Sequence, residues 1–555
     1  MRKFTVLILL LLAVIVTITR FGGGMAPWPS PTHSKPEQIK AVHYFSSSWP
    51  KSFWEDFEKS RVEADFAQIT ADGFNTVILV VSWLGFETGF EDGEPEPSQL
   101  YDRLEWLLTK LDQAGLAYGL RISFPHNFDP ENGIHNDKLC TEIFVDSRLR
   151  EKWLQYVSRI ARRIDHHRDA FKFAFFSWED FFCPYASIPN LNEAQRLDMA
   201  RRSGYQAWLG EQYPMQLLQL LYKQSFESIE DVPFPERKSP GYLLFLLFID
   251  QFLVNELLTP ARRLLPELAM EVRVDKDLIH DGNESSWAGH DLALSDEQLR
   301  GSYWGAYFGA KNQGELLTAE EALQNFESML NQVSDHGKNI NHIVEQFNFA
   351  DNTPGYAGSH AQIKNDEIPT FLKGAAELLK QKSRGYGLWT YHDYVDSALY
   401  NGSFELGLRG WDSEGQLRVM TNADGDQALR LQAEAVISQT FVPFDRFVGL
   451  GPSEQLTFCA NFTRLAEPAR ITLLLNGMPL GALDVHETKQ HCVAMDAQAI
   501  KQSLVTFSVS SDVEIQIDDL RLYSYVQILG VYNKNGQPGP LRDLIVRLNT
   551  EWLAD

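Results

Sequence analysis

The sequence predicts an α/β chain in which a (β/α)8 TIM barrel is followed by an all-β sandwich. Three observations carry this expectation. From residue 40 onward, apolar strand-like runs alternate with amphipathic helical stretches, and there are eight such runs. That number with intervening helices suits a barrel of parallel strands. Beyond residue 400 the helical period gives way to short alternating runs separated by turns, the texture of antiparallel sheets.

In chain order, the first element is an address. Arg2 and Lys3 precede sixteen uncharged, mainly apolar residues from Phe4 to Thr19, and Arg20 and Gly22-Gly23-Gly24 follow. Residues 1–24 therefore read as a signal peptide or a membrane anchor, with the positive end cytoplasmic and the rest of the chain exported to the periplasm, the exterior or the outer face of a membrane. Residues 25–38, with Ala26-Pro-Trp-Pro-Ser-Pro-Thr-His-Ser-Lys-Pro36, form a Pro-rich extended linker.

The expected barrel spans residues 39–399. Its strand runs are 39–45, 76–81, 117–123, 171–177, 270–274, 303–308, 340–345 and 387–390. Between them, Leu104, Leu107, Leu108 and Leu111 share one helical face, as do Trp153, Tyr156, Val157, Ile160 and Ile164. Gly73 and Gly115 stand where helices must close before a strand. A stretch at about 184–266 exceeds one helix and reads as a helical insertion after the fourth strand. A doubly wound open sheet is the alternative arrangement of the same elements.

Residues 400–525 carry runs such as Leu429-Arg-Leu-Gln-Ala433 and Val513-Glu-Ile-Gln-Ile517, the expected sandwich. In the tail, 526–555, Leu541, Leu544, Ile545, Leu548 and Trp552 line one face of a docking helix.

Composition narrows the partners. The formal charge of −24, with no basic run, argues against nucleic acid and favours a neutral ligand. Aromatics at 12% are enough to supply stacking platforms as well as core. The four cysteines of an exported chain allow three disulfide connectivities; membership of the two expected domains favours Cys140 with Cys183 and Cys459 with Cys492. Sequons stand at Asn283, Asn401 and Asn461.

Two strands point to chemistry. Phe171-Lys-Phe-Ala-Phe-Phe-Ser-Trp-Glu179-Asp180 and Ile340-Asn-His-Ile-Val-Glu345 both end on carboxylates. A pair of carboxyl groups at the carboxyl ends of two strands is what cleavage of a glycosidic bond requires, one to protonate the leaving oxygen and the other to attack the anomeric carbon or activate water. On these residues the chain resembles the clan of retaining glycoside hydrolases on (β/α)8 barrels, which includes cellulases, mannanases, β-galactosidases and β-xylosidases. The resemblance covers roughly residues 40–400. It implies Glu179 as acid/base after strand four, with Asp180 as its substitute, and Glu345 as nucleophile after strand seven. It places His43, Trp83, His126, Arg121, Trp178, Arg273, Tyr307 and Trp389 around the substrate, with Tyr307 beside the nucleophile and Trp389 flooring the subsite of the cleaved sugar. Trp178 stands where the clan usually has Asn, and the strand-two arginine of the clan is missing, leaving Arg121 or Arg273 as the cation. A retaining pair should stand about 5–5.5 Å apart. No catalytic cofactor is implied. Tyr391-His-Asp-Tyr394 either continues the site or begins the loop into the sandwich.

Leu399-Tyr-Asn401-Gly402-Ser-Phe404-Glu405, with Gly410-Trp411, and the closing Ile515-Gln-Ile-Asp518-Asp519-Leu-Arg-Leu522 resemble jelly-roll carbohydrate-binding modules. That resemblance implies a structural calcium with Glu405 and Asp518 among its ligands. The expected protein is thus an exported retaining glycoside hydrolase acting on β-linked poly- or oligosaccharide. A transglycosylase, or a noncatalytic glycan-binding or scaffold protein on a degenerate barrel, is the alternative.

Overall fold

The computed structural model describes residues 37–88, 96–97, 100–122, 141–176, 188–272, 300–305, 314–336, 341–350, 361–422, 425–441, 455–464, 468–496 and 505–554. Eight parallel strands close a barrel: β1 (Ile39–His43), β2 (Thr76–Val81), β3 (Ala117–Ile122), β4 (Phe171–Phe176), β5 (Leu268–Val272), β6 (Arg300–Gly305), β7 (His342–Asn348) and β8 (Gly385–Leu388). Each strand pairs with its sequence neighbours, and β8 returns to β1 through Ile39 opposite Gly385. Closure leaves no open edge, which rules out the doubly wound alternative.

Inward positions alternate along each strand, as the two-residue period of a pleated strand demands. Ile39, Ala41, Ile78, Phe173, Phe175, Ala269 and Ile343 fill the lower interior. Gly119 on β3 makes room for this packing, since a Cβ there would lie 2.0 Å from the Phe173 ring. The outer faces of the strands pack on amphipathic helices, among them Leu100–Ala114 and Ser147–His166, whose expected leucine and aromatic stripes are buried. Asp146 caps the second of these by accepting from the Arg148 amide, satisfying one of the free N–H groups at a helix start.

The region after β4 contains helices Glu193–Arg202, Tyr205–Gln212 and Met215–Tyr222, then the apolar Tyr242–Phe252, which runs on through Arg262. This last helix packs on Ser147–His166 and leads directly into β5. It is the barrel's own helix, so the added helices end before it.

The expected sandwich consists of two five-stranded antiparallel sheets. With β9 (Asp412–Glu414), β10 (Leu417–Thr421), β11 (Gln427–Leu431), β12 (Val436–Phe441), β13 (Gln455–Arg464), β14 (Ala469–Leu475), β15 (Met478–Val485), β16 (Lys489–Asp496), β17 (Val505–Ser511) and β18 (Ile515–Tyr523), the orders are β9-β12-β17-β14-β15 and β10-β11-β18-β13-β16. Both sheets contribute to one core, with Phe458 of β13 against Phe507 of β17 at 5.2 Å. Cys459 and Cys492 lie opposite each other on β13 and β16 and are joined in a disulfide. Cys140 and Cys183 lie outside the described residues.

The sandwich follows the eight barrel strands, and the chain then returns to the barrel. The chain leaves β8 through residues 390–394 and returns alongside through 527–532, with Tyr532 N–H donating to Tyr391 O at 2.9 Å and Asp393 N–H to Tyr532 O at 2.8 Å. The tail then forms Arg542–Arg547, continued by a wider turn over Leu548–Trp552. This segment packs on the helix Ile368–Lys382 and against Gly73, supplying the helix that follows β8. Asn549, fully buried, accepts from Tyr386 Oη at 2.7 Å and donates to Asp72 O at 3.1 Å.

Candidate active site

One layer above the apolar interior, the odd-numbered strands each point a polar side chain inward: His43 from β1, Arg121 from β3, Glu271 from β5 and Glu345 from β7. All four are fully buried. A layer of four side chains from alternate strands is the ordinary filling of a (β/α)8 barrel. Here that layer is ionic.

Arg121 is its hub. Nη2 donates to Glu271 Oε1 at 2.7 Å and stands 3.5 Å from Glu345 Oε1, while Nη1 donates to Gln346 Oε1 at 2.7 Å and lies 3.4 Å from His43 Nε2. His43 Nδ1 sits 3.2 Å from the Leu388 carbonyl, which has only lone pairs to offer, so Nδ1 carries the proton and Nε2 is left to accept from Arg121. Burial, reinforced by the Arg121 charge, pushes the His43 pKa well below its ordinary value. The ring is neutral, and its 3.6 Å approach to Glu345 Oε2 is a dipolar contact rather than an ion pair.

A bulge aims this site. Along both β6 and β8 the register of β7 slips after Val344: Val344 pairs with Ser302 but Gln346 with Tyr303, leaving Glu345 as the extra residue. A bulge breaks the strict alternation of faces and re-aims side chains. Glu345 and Gln346 consequently both reach Arg121. Glu345 was expected to end its strand; it lies instead in the middle of β7, which runs on to Asn348. Glycines on both flanking strands leave space for it. A Cβ on Gly301 would meet Glu345 Cγ at 2.8 Å, and one on Gly387 would meet the Glu345 carbonyl oxygen at 2.4 Å.

Trp389 follows β8 with its ring centroid 4.9 Å from that of His43, backed by Phe45 at 5.1 Å. Of the remaining expected site residues, Glu179, Asp180, Trp178, His126, Arg273 and Tyr307 lie outside the described residues, and with them the spacing of the carboxylate pair. Trp83 begins the short helix Trp83–Phe86, which packs on the outer helices Leu100–Ala114 and Ser147–His166, where it is fully buried.

Glu271 and Gln346 escaped the sequence reading. The only signal for Glu271 was its two-residue spacing from Ala269 in a short apolar run; Gln346 had none, because only the bulge turns it inward.

Tyr391-His-Asp-Tyr394 belongs to the sandwich connection. Tyr391 Oη donates to Asp72 at 3.2 Å, His392 Nε2 lies 3.0 Å from Asp65, and Asp393 accepts from the Gly530 amide at 2.9 Å. Burial raises Asp393 to about 6.

Of the two residues expected to hold a calcium, Asp518 stands near Asp519, Glu58 and Glu405, whose charges add to burial in raising its pKa, and Glu405 is bonded to the barrel. Glu405 Oε2 is held by Arg103 Nη2 at 3.0 Å and Oε1 accepts from the Gln427 amide, so the positive charge beside this carboxylate is a guanidinium from the barrel. Among the described residues no group of three or more His, Cys, Asp or Glu side chains could hold a metal ion. The motif that opens the sandwich is spent on docking: Asn401 N–H donates to Glu55 Oε2 at 3.1 Å and Ser403 Oγ to Glu55 O at 2.7 Å. The Asn401 side chain is buried and bonded to the Gly407 and Arg409 carbonyls, which removes it as a glycosylation acceptor in the folded chain.

No protein-family model and no curated protein matches the chain. Solved structures with some similarity include an exo-beta-1,4-mannosidase from Opitutaceae bacterium strain TAV5, at 12% identity and a TM-score of 0.39 over 65% of this chain; the match spans 53%, about half, of the mannosidase. An endo-1,4-beta-mannanase from Rhizomucor miehei aligns at 9% identity and TM-score 0.35, covering 65% of this chain and 88% of its own. A Streptomyces cattleya protein solved in complex with GlcNAc aligns at 11% and 0.38, covering 65% and 72%. The barrel itself is established by its closed strand order.

Proposed function

We propose that this chain is an exported retaining glycoside hydrolase that cleaves β-linked, neutral poly- or oligosaccharide, with Glu345 as nucleophile and Glu179 as acid/base. The observation that carries the reading is the delivery of Glu345, by a strand bulge, to a buried layer where an arginine and a neutral histidine face its carboxylate and Trp389 stands beside them. In this chemistry a Glu345 oxygen bonds to the anomeric carbon as the bond to the leaving oxygen breaks, and Glu179 gives that oxygen its proton. Water then attacks the same carbon, yields a proton to Glu179 and frees Glu345. Arg121 is the cation that Glu345 shares with Glu271; His43, being neutral with its Nε2 lone pair accepting from Arg121, adds no second cation. The mechanism calls on no cofactor. The N-terminal run supports export, with the barrel outside the cytoplasm and with or without a retained membrane anchor.

A noncatalytic barrel is the second reading, favoured by the complete burial of Glu345. Release of reducing ends by the full chain across a panel of neutral and acidic polysaccharides, beside Glu345→Gln, separates the two. Hydrolysis that disappears in the variant establishes the enzyme. Glycan binding without hydrolysis in both proteins would replace it with the scaffold, and elongated products would point to transglycosylation.

A further inference from the structure

We propose that Glu271 is a positioning residue of this site: it holds the Arg121 guanidinium at 3.5 Å from Glu345, so that the carboxylate on β7 keeps a cation beside it without a short hydrogen bond from that cation. The inference rests on the assignment of Glu345 as nucleophile and adds a residue and a role to it.

The geometry is asymmetric. One nitrogen, Nη2, serves both carboxylates, at 2.7 Å from Glu271 and 3.5 Å from Glu345. The other, Nη1, is tied to Gln346 at 2.7 Å. Two short bonds, to β5 and to the residue after the nucleophile, thus fix the guanidinium plane, and Glu345 receives the loose contact. Glu271 and Gln346 are the two anchors. A planar guanidinium donates in fixed directions, so it cannot shorten its contact to Glu345 while both hold.

This arrangement suits a nucleophile. A carboxylate whose lone pairs are engaged by a short charge-assisted hydrogen bond is a poorer nucleophile, whereas a buried one with no cation nearby is driven to take up a proton. A guanidinium kept at 3.5 Å supplies a nearby cation without placing its own short bond on the carboxylate. Glu271 is poorly placed to be the acid of the reaction, because its oxygen is already the acceptor in the shortest ion pair of the layer.

Among the described residues, the charged and titratable groups of this layer are His43 on β1, Arg121 on β3, Glu271 on β5 and Glu345 itself; Gln346 is neutral. Substituting Glu271→Gln removes a negative neighbour and weakens one anchor of Arg121. Both changes favour the ionised form of Glu345, so they act in the same direction on its titration.

The test is the structure of full-chain Glu271→Gln together with its pH profile on p-nitrophenyl β-glycosides of mannose, glucose, galactose and xylose. The expected result is that Arg121 closes on Glu345 to hydrogen-bond distance, that the acid limb of kcat/KM moves about one pH unit lower, and that kcat falls on whichever glycoside is hydrolysed. Glu271→Asp, which keeps the charge one methylene short, should return the limb toward that of the parent. It also serves as the measured variant if Glu271→Gln does not fold, with a smaller displacement of Arg121 expected. An Arg121 that stays at its present distance from Glu345 overturns the proposal, as does a fall in kcat with an unmoved acid limb, the signature of loosened packing alone. If the parent hydrolyses none of the glycosides, the position of Arg121 in the variant still decides this inference, while the silence counts against the hydrolase reading.

Discussion

Gly301 on β6 makes the space that Glu345 on β7 occupies: a Cβ built on the glycine would stand 2.8 Å from Glu345 Cγ and 2.9 Å from the Phe175 ring. Neither neighbour has free volume to retreat into, since both are fully buried. Gly301→Ala should therefore overpack the layer and cost about 1–3 kcal/mol. Chemical denaturation measures this, and the reducing-end assay should fall with it because Glu345 is displaced. Unchanged stability together with an unmoved Glu345 would show that the glycine is incidental.

Arg121 stands between two buried carboxylates, so its loss should be severe. Arg121→Met takes the guanidinium away from both Glu271 and Glu345 and should destabilise the chain by about 3–5 kcal/mol. Adding Glu271→Gln removes one of the stranded charges, and the double variant should recover part of the loss. A denaturation cycle over the four proteins reads the coupling; simple additivity would mean that the 2.7 Å contact contributes nothing.

Asp72 clamps the returning tail. Fully buried, it accepts from Tyr391 Oη at 3.2 Å, Tyr532 Oη at 2.9 Å and Arg542 Nη2 at 2.7 Å. Asp72→Ala removes the acceptor of two buried hydroxyls and one partner of the Arg542 guanidinium, which keeps Asp543, a loss of about 2–3 kcal/mol. Limited proteolysis should then cut first within residues 526–541, ahead of the sandwich. Cleavage elsewhere at the parent's rate would show that the terminal helix is held by other contacts.

The barrel–sandwich junction should weaken as pH rises. Burial lifts Glu405 from an ordinary value of 4.5 to about 7, against the pull of Arg103, and lifts Asp518 from 3.8 to about 9, with Asp519 adding to it. Both folded values lie above the unfolded ones, so the folded chain keeps protons that the unfolded chain has lost. Stability is therefore highest below about pH 4 for these groups, falls between 4 and 7 for Glu405 and between 4 and 9 for Asp518, and levels off above. Asp518→Asn should raise the melting temperature at pH 9 by more than at pH 5. An equal change at both would dismiss this coupling.

Much of the barrel was legible because strand and helix periods are local. The Leu104, Leu107, Leu108 and Leu111 stripe and the eight apolar runs are written in neighbouring residues, and strands one to four lie within two residues of where the pattern put them. Strands five and six begin two and three residues earlier than expected, since periodicity marks a strand better than its boundary. Within the Asn401-to-Glu405 motif, Phe404 packs in the sandwich core, while the Asn401 amide and Ser403 Oγ bond to Glu55 of the barrel. Nothing local marks which residues of such a turn meet the neighbouring domain.

By itself the sequence determined the fold class and the order of the elements, because both follow from short-range pattern; it favoured Cys459 with Cys492 among three connectivities by domain membership, and the candidacy of Glu345, His43, Arg121 and Trp389 came with the resemblance that the strand-end carboxylates carried. Only the tertiary structure decided that Glu271 meets Arg121 across 150 residues of chain, that a bulge turns Glu345 and Gln346 inward together, and that the sandwich is housed between β8 and the last helix. The physical reason is closure. Which inward side chains share a layer depends on the stagger of strands around a closed barrel, a property of all eight strands at once that no single strand encodes.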